Sequence, residues 1–214
     1  MMHYVYNRIC SLCILLGVMY GMVACKSVSV NQTVGLSKFT IAQESLIMDG
    51  DSLSAMRVFK ITNITDSILL RAKSERVIAD PEDVVLRHLV SRLYYTMRDS
   101  LNMGVGISAP QVGILKRVIW VQRFDKEGLP FEAYLNPVIN YYSDEKLPCR
   151  EGCLSIPDRM DTTRVRARRI GIEYDLLSGL HQSETVEGFT SVIFQHEIDH
   201  LDGILYIDHL SKSE

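Results

Sequence analysis

Apolar residues recur at helical spacing in one long segment of the chain. The segment opens with Asp80 and Pro81, which suit the N-cap and the first turn of a helix, and Gly104 ends it. The apolar positions lie three or four residues apart, and they are Val85, Leu86, Leu89, Val90, Leu93 and Met97. We predict an amphipathic helix whose apolar face packs into the core.

Other segments have the patterns of β-strands. Residues 117–122 and 133–135 are rich in strand-forming side chains, and Asn136 with the following proline is expected to break the second strand. Residues 168–174 alternate in polarity and turn back into a hairpin partner, residues 181–186. A helix, then strands, then a further helix indicate the α+β class.

The length and charge of the chain limit its possible functions. With 214 residues and 47% hydrophobic content, it is long enough for one domain with a substantial core. The net charge of −3 gives no reason to expect nucleic acid as a partner. We expect a monomer.

The first 25 residues have the layout of a bacterial secretory signal. Residues 1–8 carry Arg8 and no acid, and residues 9–24 form an apolar run that ends in small residues. The run is short for a membrane-spanning helix, which needs about 20 apolar residues. Met22 to Cys25 resembles a lipobox with Cys25 as the lipidated residue. The alternatives are an uncleaved anchor helix and cleavage by the ordinary signal peptidase.

This reading divides the chain into three parts. Residues 1–24 are expected to be a lipoprotein signal peptide, residues 25–56 the lipid-attachment cysteine and a tether, and residues 57–214 the catalytic domain. The acyl chains would anchor the protein to a membrane of the bacterial cell envelope, on the periplasmic or the surface side.

The pattern His-Glu-x-x-His at residues 196–200 points to metal chemistry. On a helix, His196 and His200 lie on one face, so both imidazoles can reach one metal ion. Glu197 lies beside the first histidine, where a carboxylate can act as a base toward water. The alternative is a surface helix that happens to hold two histidines. Metal-dependent hydrolysis is the first hypothesis.

Two other segments add candidate groups. Residues 151–157 contain Cys153, whose thiolate could complete a Cys-His-His set and leave one position open on the metal. Residues 104–113 contain a Gly-x-Gly loop and Gln111, which offer close backbone approach and an amide donor. Taken alone, such a loop is more typical of a tight turn before a strand.

Together, the three segments resemble the signatures of the peptide deformylase family. They read GVGISAPQ at residues 104–111, EGCLS at 151–155 and QHEIDHL at 195–201. The last two match the family pattern in every fixed position, and the first departs at Ile107 and Ser108. The resemblance covers residues 57 to 211. It implies an α+β fold with mixed or antiparallel sheets around a central helix that carries metal ligands.

The resemblance also implies a reaction, hydrolysis of the formyl group from N-formyl-methionyl peptides with release of formate. The implied metal ligands are Cys153, His196 and His200. Glu197 would take a proton from water and later give it to the departing amine. The Gln111 amide and the Leu154 backbone N–H would stabilise the oxyanion.

Peptide recognition follows from the same resemblance. Val105, Val192 and Ile193 are candidates, by position, for an apolar pocket that takes the methionine side chain. Gly106 and Ile107 would pair their backbone with the extended peptide in the manner of strand addition.

The metal implied by the family is Fe(II), with Zn(II) or Ni(II) as alternatives, and a Cys-His-His set is compatible with each. A Cys149–Cys153 disulfide is a rival in an exported protein, and it would consume the proposed ligand. The resemblance favours metal ligation by Cys153.

The family also pairs the acid before the cysteine with an arginine on the next strand. Here that acid is Glu151, and counting along the chain gives Arg166, with Arg164 and Arg168 as the other choices.

Two other functions stay open. One is a zincin-like peptidase, for which His209 is the only histidine after the motif. The other is a lipoprotein that keeps the fold for peptide binding without catalysis.

Overall fold

The described part of the chain combines four helices with three sheets. The structure is a computed structural model, and it describes residues 36–100 and 102–212. The expected signal segment and Cys25 lie outside the described residues. Within this part, no helix has both the length and the apolar character needed to cross a bilayer.

The elements confirm the predicted α+β class. The helices are α1 Ile41–Met48, α2 Ile64–Leu70, α3 Val84–Arg98 and α4 Gly188–Leu201, with 3-10 helices at Ala109–Val112 and Tyr206–Lys212. β1 Leu36–Ser37 pairs in parallel with β2 Arg76–Val77. The main sheet is antiparallel with the order β3–β4–β5–β8–β9, whose bounds are Gly106–Ser108, Val118–Gln122, Phe131–Tyr142, Arg169–Asp175 and His181–Glu187. β6 Cys149–Cys153 and β7 Ile156–Thr163 form a separate antiparallel hairpin.

α3 is the amphipathic helix that the apolar spacing predicts, but it begins later than expected. Its N-cap is Asp83, whose carboxylate accepts hydrogen bonds from the backbone N–H groups of Val85 and Leu86. Asp80 instead accepts from the N–H of Glu82 and closes a turn before the helix. The predicted apolar face is buried in the first core cluster through Leu86, Leu89, Val90, Leu93 and Met97.

β5 continues through Asn136 and Pro137, where the sequence predicts a break. The register of β5 against β8 shifts next to these residues, so a bulge accommodates the proline, which has no N–H to donate. Asn136 has a φ of 53°, and its side chain bonds both the N–H and the C=O of Val77 at 2.8 Å. The predicted break is therefore wrong, because the bulge and this side chain carry the strand past the proline.

α4 follows β9 directly and lies against the main sheet. A second core cluster joins the helix to the sheet and contains Phe194, Ile198 and Leu201 together with Ile119, Val121 and Tyr134. The predicted hairpin before it is confirmed as β8 and β9. Packing on the sheet thus fixes the helix that carries the His-Glu-x-x-His pattern.

Residues 38–56, here called the N-terminal arm, are folded against α3. Its buried apolar side chains are Phe39, Ile47 and Met56. Arg92 of α3 donates hydrogen bonds to the backbone carbonyls of Leu46, Ile47, Asp49, Ser54 and Ala55. The prediction of a tether over residues 26–56 is therefore wrong for residues 38–56. The sequence does not indicate a folded segment there, because its three buried apolar side chains are too widely spaced to form an apolar period.

Candidate metal centre

Three side chains with metal-ligating atoms meet between β6 and α4. Cys153 ends β6, and His196 and His200 lie one turn apart on α4. Their candidate ligand atoms all lie within 4.8 Å of one another, and Cys153 Sγ is 3.1 Å from His200 Nε2. Both histidines are buried. The structure therefore brings together the three residues that the sequence proposes as ligands.

Glu151 holds the ring of His196. The Nδ1–H of His196 donates to Glu151 Oε2 at 2.8 Å, which leaves Nε2 for a metal. Arg166 donates from Nε and Nη2 to the two oxygens of Glu151 at 2.9 Å each, and Thr163 also donates to it. Burial alone would raise the pKa of Glu151, but the bonds from His196 and Arg166 lower it to about 2. The predicted Glu151–Arg166 pair is confirmed.

Asp199 lies on the other side of Arg166. Its Oδ2 accepts from Arg166 Nη1 at 2.5 Å and from His209 Nε2 at 2.8 Å. His209 therefore contacts an outer carboxylate, and it does not supply the third ligand that a zincin arrangement would require.

The rival disulfide does not fit this geometry. Cys149 and Cys153 are both free and occupy the two ends of β6. Four steps along a strand separate the Cα atoms by about 13 Å, whereas a disulfide needs them within about 7 Å. Cys153 is thus available as a ligand.

Glu197 is a buried carboxylate that faces the cavity beside the ligands. Its Oε2 has no hydrogen-bond partner among the described residues, and burial raises its pKa to about 7. A Cβ added to Gly106 would lie 2.5 Å from Glu197 Oε1, so this glycine provides the space that the carboxylate occupies. A carboxyl group that titrates near neutrality can both accept and return a proton.

Gln111 directs its amide N–H toward Cys153. The backbone N–H and the hydroxyl of Ser108 donate to Gln111 Oε1 at 2.9 and 3.0 Å, which fixes the amide orientation. Gln111 Nε2 then lies 3.3 Å from Ser155 Oγ and 3.6 Å from Cys153 Sγ. A donor at this place can stabilise negative charge on a bound carbonyl oxygen.

A cavity of about 790 Å³ opens beside these groups. The predicted site residues that line it are Val105, Gly106, Gln111, Cys153, Leu154, Val192, Ile193, His196 and Glu197. The exposed apolar side chains of Met103, Met160 and Phe189 line it as well. A cleft that combines apolar side chains with converging polar groups is the usual form of a ligand site.

Ile107 does not reach this cavity, which corrects its predicted role. Its side chain is fully buried in the first core cluster, because consecutive residues of a strand face opposite sides. The C=O of Val105 accepts from the N–H of Gln122 at 2.8 Å. Because alternate residues bond the neighbouring strand, the backbone groups of Ile107 also face β4. The open edge of β3 therefore presents Gly106.

Three supporting side chains lie outside the sequence signatures. Thr163 donates to Glu151, and the ring of Tyr206 stacks on His196 with centroids 6.0 Å apart. His209, which attracts notice in the sequence only as a possible zincin ligand, contacts Asp199. No local pattern indicates Thr163 or Tyr206, because each contacts a residue on a different element of the fold.

The donor set fits one divalent metal ion. Burial alone would raise the pKa of the Cys153 thiol, but His200 and His196 lower it well below its usual range, which favours the thiolate that binds metals. Three protein ligands leave a coordination position for water or substrate. With the buried carboxylate of Glu197 nearby, the fold and the site define an α+β metallohydrolase.

Comparison with known proteins identifies the family. The family model for polypeptide deformylase matches residues 58–214. A peptide deformylase of Maricaulis maris is 38% identical over 159 residues, which cover 73% of this chain and 87% of that protein. A peptide deformylase-like protein of Brucella melitensis is 41% identical over 143 residues, 67% of this chain and 83% of that protein.

A solved structure agrees with these relatives. The class I type b peptide deformylase of Acinetobacter baumannii with Met-Ala-Ser bound has a TM-score of 0.62 and 33% identity, and the match covers 72% of this chain and 98% of that one. This chain belongs to the peptide deformylase family, and it is a metal-dependent hydrolase of the N-formyl amide of N-formyl-methionyl peptides.

Proposed function

We propose that Cys153, His196 and His200 hold the metal of this deformylase and that Glu197 transfers the proton. The observation that supports this most is the buried carboxylate of Glu197, whose Oε2 has no hydrogen-bond partner among the described residues, beside three ligand atoms that lie within 4.8 Å of one another. A bound divalent ion supplies Lewis acidity, which polarises the formyl carbonyl and makes a water molecule more acidic.

Glu197 carries the proton in both halves of the reaction. It accepts a proton from the attacking water as the new C–O bond forms at the formyl carbon. It then donates that proton to the methionine nitrogen as the C–N bond breaks, so formate and a free amine leave. In the metal-free protein, burial raises the pKa of this carboxyl to about 7, which makes it a stronger base than an exposed carboxylate.

Two donors stabilise the oxyanion between these steps. Gln111 Nε2 is directed to the cysteine side of the cavity by the bonds from Ser108 to its oxygen. Leu154 follows Cys153 and lines the same cavity, and we assign its backbone N–H as the second donor.

The peptide lies along β3 with its methionine side chain in the cavity. Val105, Val192 and Ile193 supply apolar surface for that side chain. Gly106 pairs its backbone with the peptide at the open edge of the strand, so the substrate adds to the sheet as a further strand.

For the metal in the cell we propose Fe(II), with Zn(II) or Ni(II) able to occupy the same ligands.

We further propose that the protein is a monomeric lipoprotein of the bacterial cell envelope. The support is the sequence alone: an apolar run at residues 9–24 followed by the lipobox-like Met22 to Cys25. Cys25→Ser should then leave an unprocessed precursor without lipid, and an unchanged product would contradict the anchor.

The test of the activity uses the two cysteines of β6 as a matched pair. Formate release from formyl-Met-Ala-Ser should be seen with the wild type and with Cys149→Ser, because Cys149 lies at the far end of the strand. Cys153→Ser should lose both bound metal and formate release, because an alcohol is a poor ligand. Equal activity of the two variants would contradict the proposed site.

A further inference from the structure

A chain of charged side chains leads away from the metal centre to the C-terminal segment. His196 Nδ1 donates to Glu151, Arg166 bridges Glu151 and Asp199, and Asp199 accepts from His209. Every contact in this chain lies between 2.5 and 2.9 Å. The position of His209 is thus coupled to the position of a candidate ligand ring.

Asp199 is the part of this chain nearest to solvent. Its side chain is 20% exposed, whereas Arg166 and Glu151 are 3% and 4% exposed. Arg166 donates from Nε and Nη2 to Glu151 and from Nη1 to Asp199, so the two carboxylates together fix its guanidinium group. Asp199 faces water on one side, and His209 Nε2 is a second donor that holds its carboxylate in place.

His209 is itself well held. It lies on the 3-10 helix Tyr206–Lys212, whose Asp208 pairs with Arg71, the C-cap of α2, and accepts from the N–H of Leu205 at 2.9 Å. Tyr206 on the same segment stacks on His196. This segment therefore contacts the ligand helix at two points, one on the ring of His196 and one on Asp199.

We propose that His209 is a positioning residue of the metal centre, which fixes His196 through Asp199, Arg166 and Glu151. The inference rests on the proposed function, because it takes His196 to be a metal ligand. Groups that orient ligands from outside typically contribute about 10- to 100-fold to metal affinity. His209 is several contacts away from the metal, so its share should be near the lower end of that range.

The test compares three variants of the full-length protein, His209→Leu, His209→Gln and His181→Leu. Gln can place an amide N–H where the imidazole Nε2–H of His209 lies, and Leu cannot donate. His181 of β9 is the matched control. Its Nδ1 bonds Asp175 of β8 at 2.8 Å, and neither residue lines the cavity. The Zn(II) dissociation constant is measured by competition with a chromophoric chelator, and melting of the metal-free proteins is recorded alongside.

His209→Leu should weaken Zn(II) binding by about 10-fold, and His209→Gln should restore it to within about threefold of the wild type. His181→Leu should bind Zn(II) as the wild type does. Combined with Asp199→Asn, the loss should be less than the product of the single losses, because both act in one chain of contacts. The formyl-peptide KM should stay constant while kcat falls, since His209 does not line the cavity.

Wild-type affinity in His209→Leu would overturn the proposal, as would a His209→Gln variant as weak as His209→Leu. Formate release by the wild type is assayed beside the variants. Normal release together with unchanged Zn(II) affinity in His209→Leu would remove this positioning role and leave the proposed function standing.

Discussion

Two buried arginines, Arg166 and Arg123, have similar surroundings, but only Arg166 bonds an acid that also bonds a candidate metal ligand. Arg166 bonds Glu151 and Asp199. Arg123 bonds Asp125, Glu184 and the hydroxyl of Tyr134 at 2.7 to 2.9 Å. Each arginine side chain is 2% or 3% exposed, and each guanidinium is bonded by acids. A buried ion pair alone therefore does not indicate a functional site.

The difference is what the acids contact next. The acids around Arg123 also accept hydrogen bonds from Tyr134, Tyr174 and Lys126. This cluster contacts α4 through Thr190 and Phe194, neither of which is a candidate ligand. Glu151, which bonds Arg166, also accepts a hydrogen bond from the candidate ligand His196. The unsatisfied buried atoms point the same way, since two of the four side-chain atoms without a partner in the described part of the chain are Glu197 Oε2 and His200 Nδ1.

The largest effect is expected from Glu197→Gln. The amide keeps the shape of the side chain and cannot accept a proton, so formate release should fall by about 100-fold or more. Bound metal should stay near one equivalent, because Glu197 is not a ligand. The melting temperature should not fall, since the change removes a carboxyl group that burial disfavours in its charged form. Loss of metal in this variant would contradict the assignment of Glu197 as base.

Arg166→Met should damage both stability and metal binding. It leaves Glu151 charged and buried without its main partner, and breaking such a pair typically costs about 3–5 kcal/mol of unfolding free energy. Glu151 would also hold His196 less firmly, so the metal dissociation constant should rise about 10- to 100-fold. Urea unfolding and metal competition measure the two effects. A stability loss without a change in metal affinity would break the distinction between the two arginines.

Arg123→Met is the counterpart, with the same change in the other cluster. The unfolding free energy should again fall by about 3–5 kcal/mol, because Asp125 and Glu184 lose a buried partner. The metal dissociation constant of the folded protein should change much less than in Arg166→Met, since this cluster contacts α4 through Thr190 and the ring of Phe194, and neither residue is a candidate ligand. Metal binding weakened in folded Arg123→Met as much as in Arg166→Met would show that the clusters are coupled after all.

A smaller effect should appear on acidification of the metal-free protein. Hydrogen bonds from Arg123 lower the pKa of Asp125, and they also lower that of Glu184 against the effect of burial. A carboxyl whose folded pKa lies below its unfolded value of about 4 stabilises the fold above that value and loses this contribution as pH falls through the folded pKa. The urea midpoint should therefore drop with acidification below about pH 4. Arg123→Met should show a shallower drop, and an equally steep one would contradict this origin.

The sequence predicts the site better than it predicts the frame around it. His196, Glu197 and His200 follow from helical spacing, and Cys153 and Gln111 follow from short segments whose chemistry is local. The Glu151–Arg166 pair follows from the family resemblance, with the arginine located by counting along the chain. These residues depend on local geometry, which a one-dimensional pattern can express.

The wrong predictions share a different cause. Asp80 and Asp83 are equally good caps by residue type, and the fold chooses between them. The strand passes Asn136 because the backbone N–H and C=O of the distant Val77 both bond its side-chain amide. The N-terminal arm is held by Arg92, whose bonds reach 37 to 46 residues along the chain. Such long-range contacts leave no period in the sequence.

Ile107 shows the limit of a motif on a strand. The motif places it next to Gly106, yet consecutive strand residues face opposite sides, so only one of the two can face the peptide. The three signatures determine which segments meet, and the register of β3 on β4 determines which residue of the segment faces the cavity.

The central claim is that the ligand end of α4 holds one catalytic metal, and a crystal structure of metal-loaded protein tests it most directly. Anomalous scattering recorded on both sides of the metal absorption edge should give one strong peak. With zinc bound, that peak should lie about 2.3 Å from Cys153 Sγ and about 2.1 Å from Nε2 of His196 and of His200. Glu197 should lie beside it without coordinating. A peak elsewhere, or Cys153 found in a bond with Cys149, would contradict the account.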